Sequence, residues 1–202
     1  MAAAPGGAPA RRVGLFGGSF DPVHNAHVAL AEVALTSLQL DAVRWIPAGQ
    51  PWQKNRAMAA PEHRVAMVQS AIAHQPRFVL DRIEIDRTGD SVTLDTVHSL
   101  AVQHPGVEWV LLIGQDQYAS LHTWRNWRDL LGLAVLAVAN RPGDLRGPNA
   151  EVLRFPHRML PLPMLDISST DIRQRVARGV DITQLVPPLV ARYIETHRLY
   201  RS

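Results

Sequence analysis

Cysteine is absent from the 202 residues. Disulfides, thiolate metal sites and thiol catalysis are thereby excluded, and a reducing, cytoplasmic setting is the simplest expectation. Aromatic residues are sparse, at 6%. No stretch interleaves them with a basic stripe, so no nucleic-acid partner is expected. No apolar run approaches the roughly 20 residues that a membrane helix requires. The stretch from Leu130 to Ala139 is too short to span a bilayer and suits a buried strand. A secretory leader is not expected either. The Ala/Gly/Pro-rich start, Met1 to Ala10, has no long apolar run, and its basic pair, Arg11-Arg12, follows it instead of preceding it. Residues 1–11 read as a disordered tail. A net charge of only +3 fits an anionic small substrate but does not by itself select a partner.

What is present is a 47% hydrophobic chain, enough for one sizeable core over 12–202. Val13 to Phe16 reads as a buried strand closed by Gly17-Gly18, and Ala26 to Leu38 as a helix capped by Asn25. Ala42 to Ile46 is a strand, Gly49 to Ala60 a polar loop, and Pro61 to His74 a helix with proline in its first turn. Arg77 to Ile85 reads as a strand, Val92 to Gln103 as a helix and Val107 to Ile113 as a strongly apolar strand. A helical stretch with Trp124 and Trp127 precedes a strand at Leu133 to Ala139. Arg141 to Asn149 is a loop, Val152 to Phe155 a short strand, and Ser168 to Arg178 and Pro188 to His197 are helices that make a C-terminal helical subdomain. Strands alternating with helices predict an α/β, Rossmann-like doubly wound parallel sheet with helices on both faces. In such sheets ligands bind beyond the carboxyl ends of the strands.

The strongest chemical signal is Gly17-Gly18-Ser19-Phe20-Asp21-Pro22-Val23-His24-Asn25-Ala26-His27. A glycine pair after a strand lets backbone approach a ligand. Two histidines three apart share a helical face, at a helix start that attracts anions. The pattern suits a polyphosphate, although it is neither a P-loop nor Gly-x-Gly-x-x-Gly. His24, His27 and Asp21 could in principle ligate zinc, but no further ligand pattern accompanies them and no protein metal site is expected. A second helix start lies at Ile167-Ser168-Ser169-Thr170-Asp171-Ile172-Arg173. Ser168 can cap it, with Asp171 as capping-box partner. Its amides, a hydroxyl and Arg173 would converge on phosphate.

These two stretches resemble the paired signatures of the nucleotidyltransferase superfamily, Gly-x-Phe-Asp-x-x-His-x-Gly-His and the Ile-Ser-Ser-Thr-x-Ile-Arg helix start. Ala26 stands at the last glycine of the first. Further segments are similar to bacterial nicotinate-nucleotide adenylyltransferases: Pro47 to Lys54, Glu62-His63-Arg64, Ser91 to Thr96, Ile113 to Asp116, Leu121 to Trp124, and Leu185-Val186-Pro187 with Tyr193 to Tyr200. Trp52-Gln53 stands where Pro-His is frequent, and Val92 where tyrosine is frequent. The resemblance implies adenylyl transfer from ATP to nicotinate mononucleotide, with phosphopantetheine or nicotinamide mononucleotide as alternative acceptors and a non-catalytic nucleotide sensor as another outcome. It implies catalytic roles for His24, His27, Lys54 and Arg173. It places ATP against Gly17, Gly18, Ser19, Phe20, His24, His27, Gly114, Asp116, Ile167, Ser168, Ser169 and Arg173, and the acceptor against Asp21, Lys54, Thr93, Trp124 and Arg125. Mg²⁺ would be bound mainly through ATP. A homo-oligomer is compatible with all of this.

Overall fold

The computed structural model describes residues 11–50, 58–140, 147–161 and 165–201. Among these residues six strands run parallel: β1 (Arg12–Gly18), β2 (Ala42–Pro47), β3 (Phe78–Leu80), β4 (Glu108–Gly114), β5 (Val135–Asn140) and β6 (His157–Pro161). Their order across the sheet is β3-β2-β1-β4-β5-β6. The chain builds outward from β1 to β3, then returns to lay β4 against the other side of β1. Val13 therefore pairs with Ala42 on one flank and with Trp109 on the other. The reversal between β1 and β4 is the point where a doubly wound sheet opens a crevice.

The helices are α1 (Asn25–Ser37), α2 (Pro61–Ile72), α3 (Thr93–Gln103), α4 (Gln115–Ser120), α5 (Trp127–Leu133), α6 (Ser169–Ala177) and α7 (Pro188–Thr196). Alternation along the strands sorts the core into two layers. Val43, Trp45, Val110, Leu112 and Ala137 face one layer, shared with Leu30 of α1, Met67 of α2, Ile172 of α6 and Val190 of α7. Val13, Leu15, Leu111, Ile113 and Leu136 face the other, shared with Val97 and Leu100 of α3, Tyr118 of α4 and Leu130 of α5. Each fully buried side chain of this size contributes about 1.5–3 kcal/mol. The central strands are consequently the rigid base from which loops project. No helix among the described residues is long and apolar enough to cross a membrane.

Several boundaries differ from the sequence expectation. The strand expected over Arg77 to Ile85 stops at Leu80, because Asp81 accepts the Ile83 N–H at 3.0 Å and starts a turn. Val152–Arg154 is a 3-10 turn and not a strand. The sixth strand is instead His157–Pro161, an edge strand in which only Leu160 is buried, so its sequence carries little apolar alternation. Leu133 closes α5 instead of opening β5. Of the tail over 1–11, only Arg11 is among the described residues.

Candidate active site

Beyond the carboxyl ends of β1 and β4 lies a cavity of about 440 Å³, with Phe16, Gly17, Gly18, Ile113 and Gly114 in its lining. A Cβ placed on Gly17 would meet nothing within 4 Å, so glycine there leaves strand backbone open to the cavity. Ser19 and Phe20 continue the wall. Phe20 has a left-handed backbone, φ 45°, which costs an aromatic residue conformational energy. Its buried ring offsets that cost by packing edge-on against Phe16 at 5.4 Å and against His27 at 5.2 Å.

His24 caps α1 and His27 stands three residues into it. Both line the cavity. Their rings stack, with centroids 3.6 Å apart and 24° between planes. The His24 N–H donates to His27 Nδ1 at 3.2 Å. Nδ1 must be unprotonated to accept, so the neutral ring carries its proton on Nε2, a donor. Asn25, the expected cap, is instead the first helical residue. Its N–H donates to Leu185 O at 2.9 Å and its side-chain amide to Gln184 O at 3.0 Å, which docks the segment before α7 onto the start of α1.

The start of α6 reaches the same cavity through Ile167, Ser168 and Ser169. Ser168 caps the helix, its hydroxyl accepting the Asp171 N–H at 3.1 Å. The Asp171 carboxylate does not complete a capping box; it pairs with Arg175 at 2.8 Å. Ser169 Oγ donates to Pro22 O at 2.9 Å. Arg173 Nη1 donates to Asp21 O at 2.7 Å and its Nη2 to Thr170 Oγ1 at 3.1 Å. The two sequence motifs are thus bonded directly to one another. Neither Arg173 nor Asp21 is among the lining residues. Asp21 is fully buried, and its Oδ1 accepts from Tyr200 O–H at 2.8 Å and from Ala59 N–H at 3.2 Å.

Further lining comes from β4, from the start of α4 and from the segments that precede α3 and α5. Asp116 sits exposed in the first turn of α4, and Thr93 opens α3. Trp124 is half-buried between the turn at Leu121–Thr123 and α5, packed against the second core layer. Arg125 is exposed, 3.6 Å from Asp90. All four line the cavity. Lys54 lies outside the described residues.

Two residues that the sequence reading gave no role help to build this site. Arg64 is buried and donates to Ser19 O at 3.0 Å, Ala59 O at 3.1 Å and Gly49 O at 3.3 Å. Burial lowers its pKa, partly opposed by the charge of Asp21. Its signal was its place on the apolar stripe of α2, in helical register with Met67, Val68 and Ala71. Glu84 is buried and lines the cavity. Desolvation raises its pKa, against a hydrogen bond from Thr96 at 2.8 Å. Chemically, the cavity lining joins two helix starts, a stacked histidine pair, exposed strand backbone, an aromatic ring and a cation. That set can hold a polyphosphate and a flat anionic ring without any protein nucleophile.

A cytidylyltransferase-like family model matches residues 15–175. Over 198 residues the chain is 47% identical to a protein of Methylibium petroleiphilum named "Probable nicotinate-nucleotide adenylyltransferase", covering 95% of this chain and 93% of that one. The chain belongs to the nicotinate-nucleotide adenylyltransferase family. A Clavibacter michiganensis protein of the same name is 42% identical, with 96% of each chain covered. The fold is that of the Plasmodium falciparum nicotinic acid mononucleotide adenylyltransferase complexed with NaAD, at a TM-score of 0.79 and 20% identity over 94% of this chain and 97% of that one. In this nicotinate-nucleotide adenylyltransferase family member, Ala26 stands at the last glycine of the first signature and its residue lines the cavity.

Proposed function

We propose that the chain transfers the adenylyl group of ATP to nicotinate mononucleotide, releasing pyrophosphate and forming nicotinate adenine dinucleotide. The observation that carries this reading is the convergence of both phosphate motifs on one cavity, joined by the Ser169–Pro22 and Arg173–Asp21 hydrogen bonds. An oxygen of the acceptor's 5′-phosphate attacks the α-phosphorus of ATP. A new phosphorus–oxygen bond forms, the bond to the β-phosphate bridging oxygen breaks, and that oxygen leaves with pyrophosphate. The attacking phosphate is already anionic, so the enzyme supplies position and charge neutralisation.

His24 and His27 take the ATP phosphates, His27 donating from Nε2. Gly17, Gly18, Ser19 and Phe20 offer backbone, and Ser168 and Ser169 the start of α6. Lys54 holds phosphate oxygens, Arg173 holds the loop after β1 to the start of α6 so that Ser168 and Ser169 meet them, and Gly114 and Asp116 hold the adenosine. Thr93 and Trp124 receive the pyridine ring. Arg125 brings positive charge to the same cavity, which favours a ring carboxylate over a carboxamide.

No three His, Asp or Glu side chains converge as a metal-ligand group among the described residues. A divalent ion, Mg²⁺, would be held mainly by triphosphate oxygens and water. When bound, the ion neutralises charge on the phosphates.

The test is pyrophosphate release with ATP and Mg²⁺, comparing nicotinate mononucleotide, nicotinamide mononucleotide and phosphopantetheine, with His24→Ala as control. Release with the nicotinate compound that is lost in the variant supports the reading. Release with another acceptor only would reassign the substrate.

A further inference from the structure

We infer that Asp90 is a specificity-determining residue for the acceptor: it counters the charge of Arg125 at the edge of the cavity and so sets how strongly a ring carboxylate is preferred over a carboxamide. The inference rests on the acceptor proposed above.

Positive charge is scarce on the cavity wall. Among the described lining residues Arg125 is the only lysine or arginine, beside two carboxylates, Glu84 and Asp116. Arg125 directly follows Trp124, and Asp90 stands three residues before Thr93; these are the two residues proposed to receive the pyridine ring. Across this gap Arg125 Nη2 lies 3.6 Å from Asp90 Oδ2. The backbone aims the pair. Gly89, just before Asp90, has φ 93°, and Asn126, just after Arg125, has φ 53°. Glycine and asparagine enter this left-handed region at least cost. The segment that carries Asp90 is also anchored. The next residue, Ser91, accepts the Gly49 and Gln50 N–H groups on its Oγ at 2.9 and 3.2 Å, and its own N–H donates to Gln50 O at 3.0 Å.

The length of the ion pair defines what it does. At 3.6 Å it is a charge contact, longer than the roughly 2.7–3.2 Å of an N–H···O bond. Asp90 therefore attracts the guanidinium without a hydrogen bond that an acceptor would have to break. Both side chains are more than half exposed, so the attraction is weak and screened by salt. A ring carboxylate can meet the guanidinium at two points and displaces this contact. It still binds less tightly than it would to an arginine with no acid beside it, because the pair presents a dipole where the arginine alone would present a full charge. A neutral carboxamide is nearly indifferent to the difference. Asp90 is not itself among the lining residues, so it acts on the ring through Arg125.

The experiment measures pyrophosphate release by the full chain and by Asp90→Asn, Arg125→Gln and the double variant. Nicotinate mononucleotide and ATP are varied separately, and nicotinamide mononucleotide is followed as a second acceptor or as a competing inhibitor. In Asp90→Asn, kcat/KM for nicotinate mononucleotide rises about threefold, and the gain shrinks at high salt. KM for ATP and the affinity for nicotinamide mononucleotide stay unchanged. In the Arg125→Gln background the same substitution changes nothing, because it acts through the missing guanidinium. An unchanged or lower kcat/KM for the nicotinate compound in Asp90→Asn overturns the inference. So does an equal gain for both mononucleotides, or a gain that persists without Arg125. Should Asp90→Asn fail to fold, Asp90→Ser decides by the same criteria. Absence of wild-type turnover with nicotinate mononucleotide would overturn the proposed function and this inference together. Wild-type turnover with an unaffected variant overturns only the role of Asp90.

Discussion

Arg173 donates a hydrogen bond to the main-chain oxygen of Asp21 at 2.7 Å, across 152 positions of sequence. One guanidinium thus holds the loop after β1 to the start of α6, while its second nitrogen engages Thr170. Lysine keeps the charge but cannot make both bonds in a fixed fork. Arg173→Lys is expected to lower kcat/KM for ATP by about 100-fold, and Arg173→Ala by more, read from initial rates of pyrophosphate release. A loss under threefold in the lysine variant would show that charge alone is needed.

His27 does two things with two nitrogens. Nδ1 accepts the His24 N–H, and Nε2 is left as the donor. Asparagine can accept the same N–H through Oδ1, but it has no donor at the position of Nε2. His27→Asn is therefore expected to fold with a near-native melting temperature and to lose about 100-fold or more in kcat. Circular dichroism on heating and single-turnover rates separate the two effects. Near-native kcat would remove His27 from the phosphate site.

Arg64 satisfies three main-chain carbonyls from three different loop segments. Arg64→Met keeps the apolar stem within the stripe of α2 and leaves those oxygens without their charged donor. The expected cost is about 3 kcal/mol of unfolding free energy, measured by urea titration followed by tryptophan fluorescence. A cost under about 1 kcal/mol would mean that water replaces the guanidinium without loss.

Glu84 gives stability a pH dependence of definite sign. Its folded-state pKa is raised by burial, so the folded chain binds this proton more tightly than the unfolded chain. Its stabilising contribution is full below the ordinary glutamate range, near pH 4, and is lost as pH rises through the raised value. Glu84→Gln removes that titration. Relative to wild type, the variant's unfolding free energy should increase between about pH 4 and pH 7. Parallel urea titrations at the two pH values test this, and a constant difference would contradict it.

Local signals were legible in the sequence, and assembled ones were not. Gly17-Gly18, His24, His27 and Ser168 were readable because a strand end, a helix start and a cap are each written within a few residues. Both motifs duly meet at one cavity. Asp21 sits inside the first motif yet faces Tyr200 and Ala59 rather than the cavity, a direction that no spacing encodes. Glu84 lies in Arg82-Ile83-Glu84-Ile85-Asp86, whose alternation imitates a half-exposed strand. The Asp81 turn breaks that strand and sends the glutamate inward. Strand β6 escaped for the opposite reason. At the sheet edge it buries one side chain only, and a single apolar residue makes no period.

The hydrogen bond from Tyr200 to Asp21 spans 179 positions, and it bears on how the molecule comes to be finished. Contacts between distant positions close late, because the intervening chain must first lose its freedom. A nascent chain in which β1, β2 and β4 have already paired would hold the histidine-bearing corner without its final tether. The binding corner is then the last part of the molecule to mature, although its residues are among the first to be made.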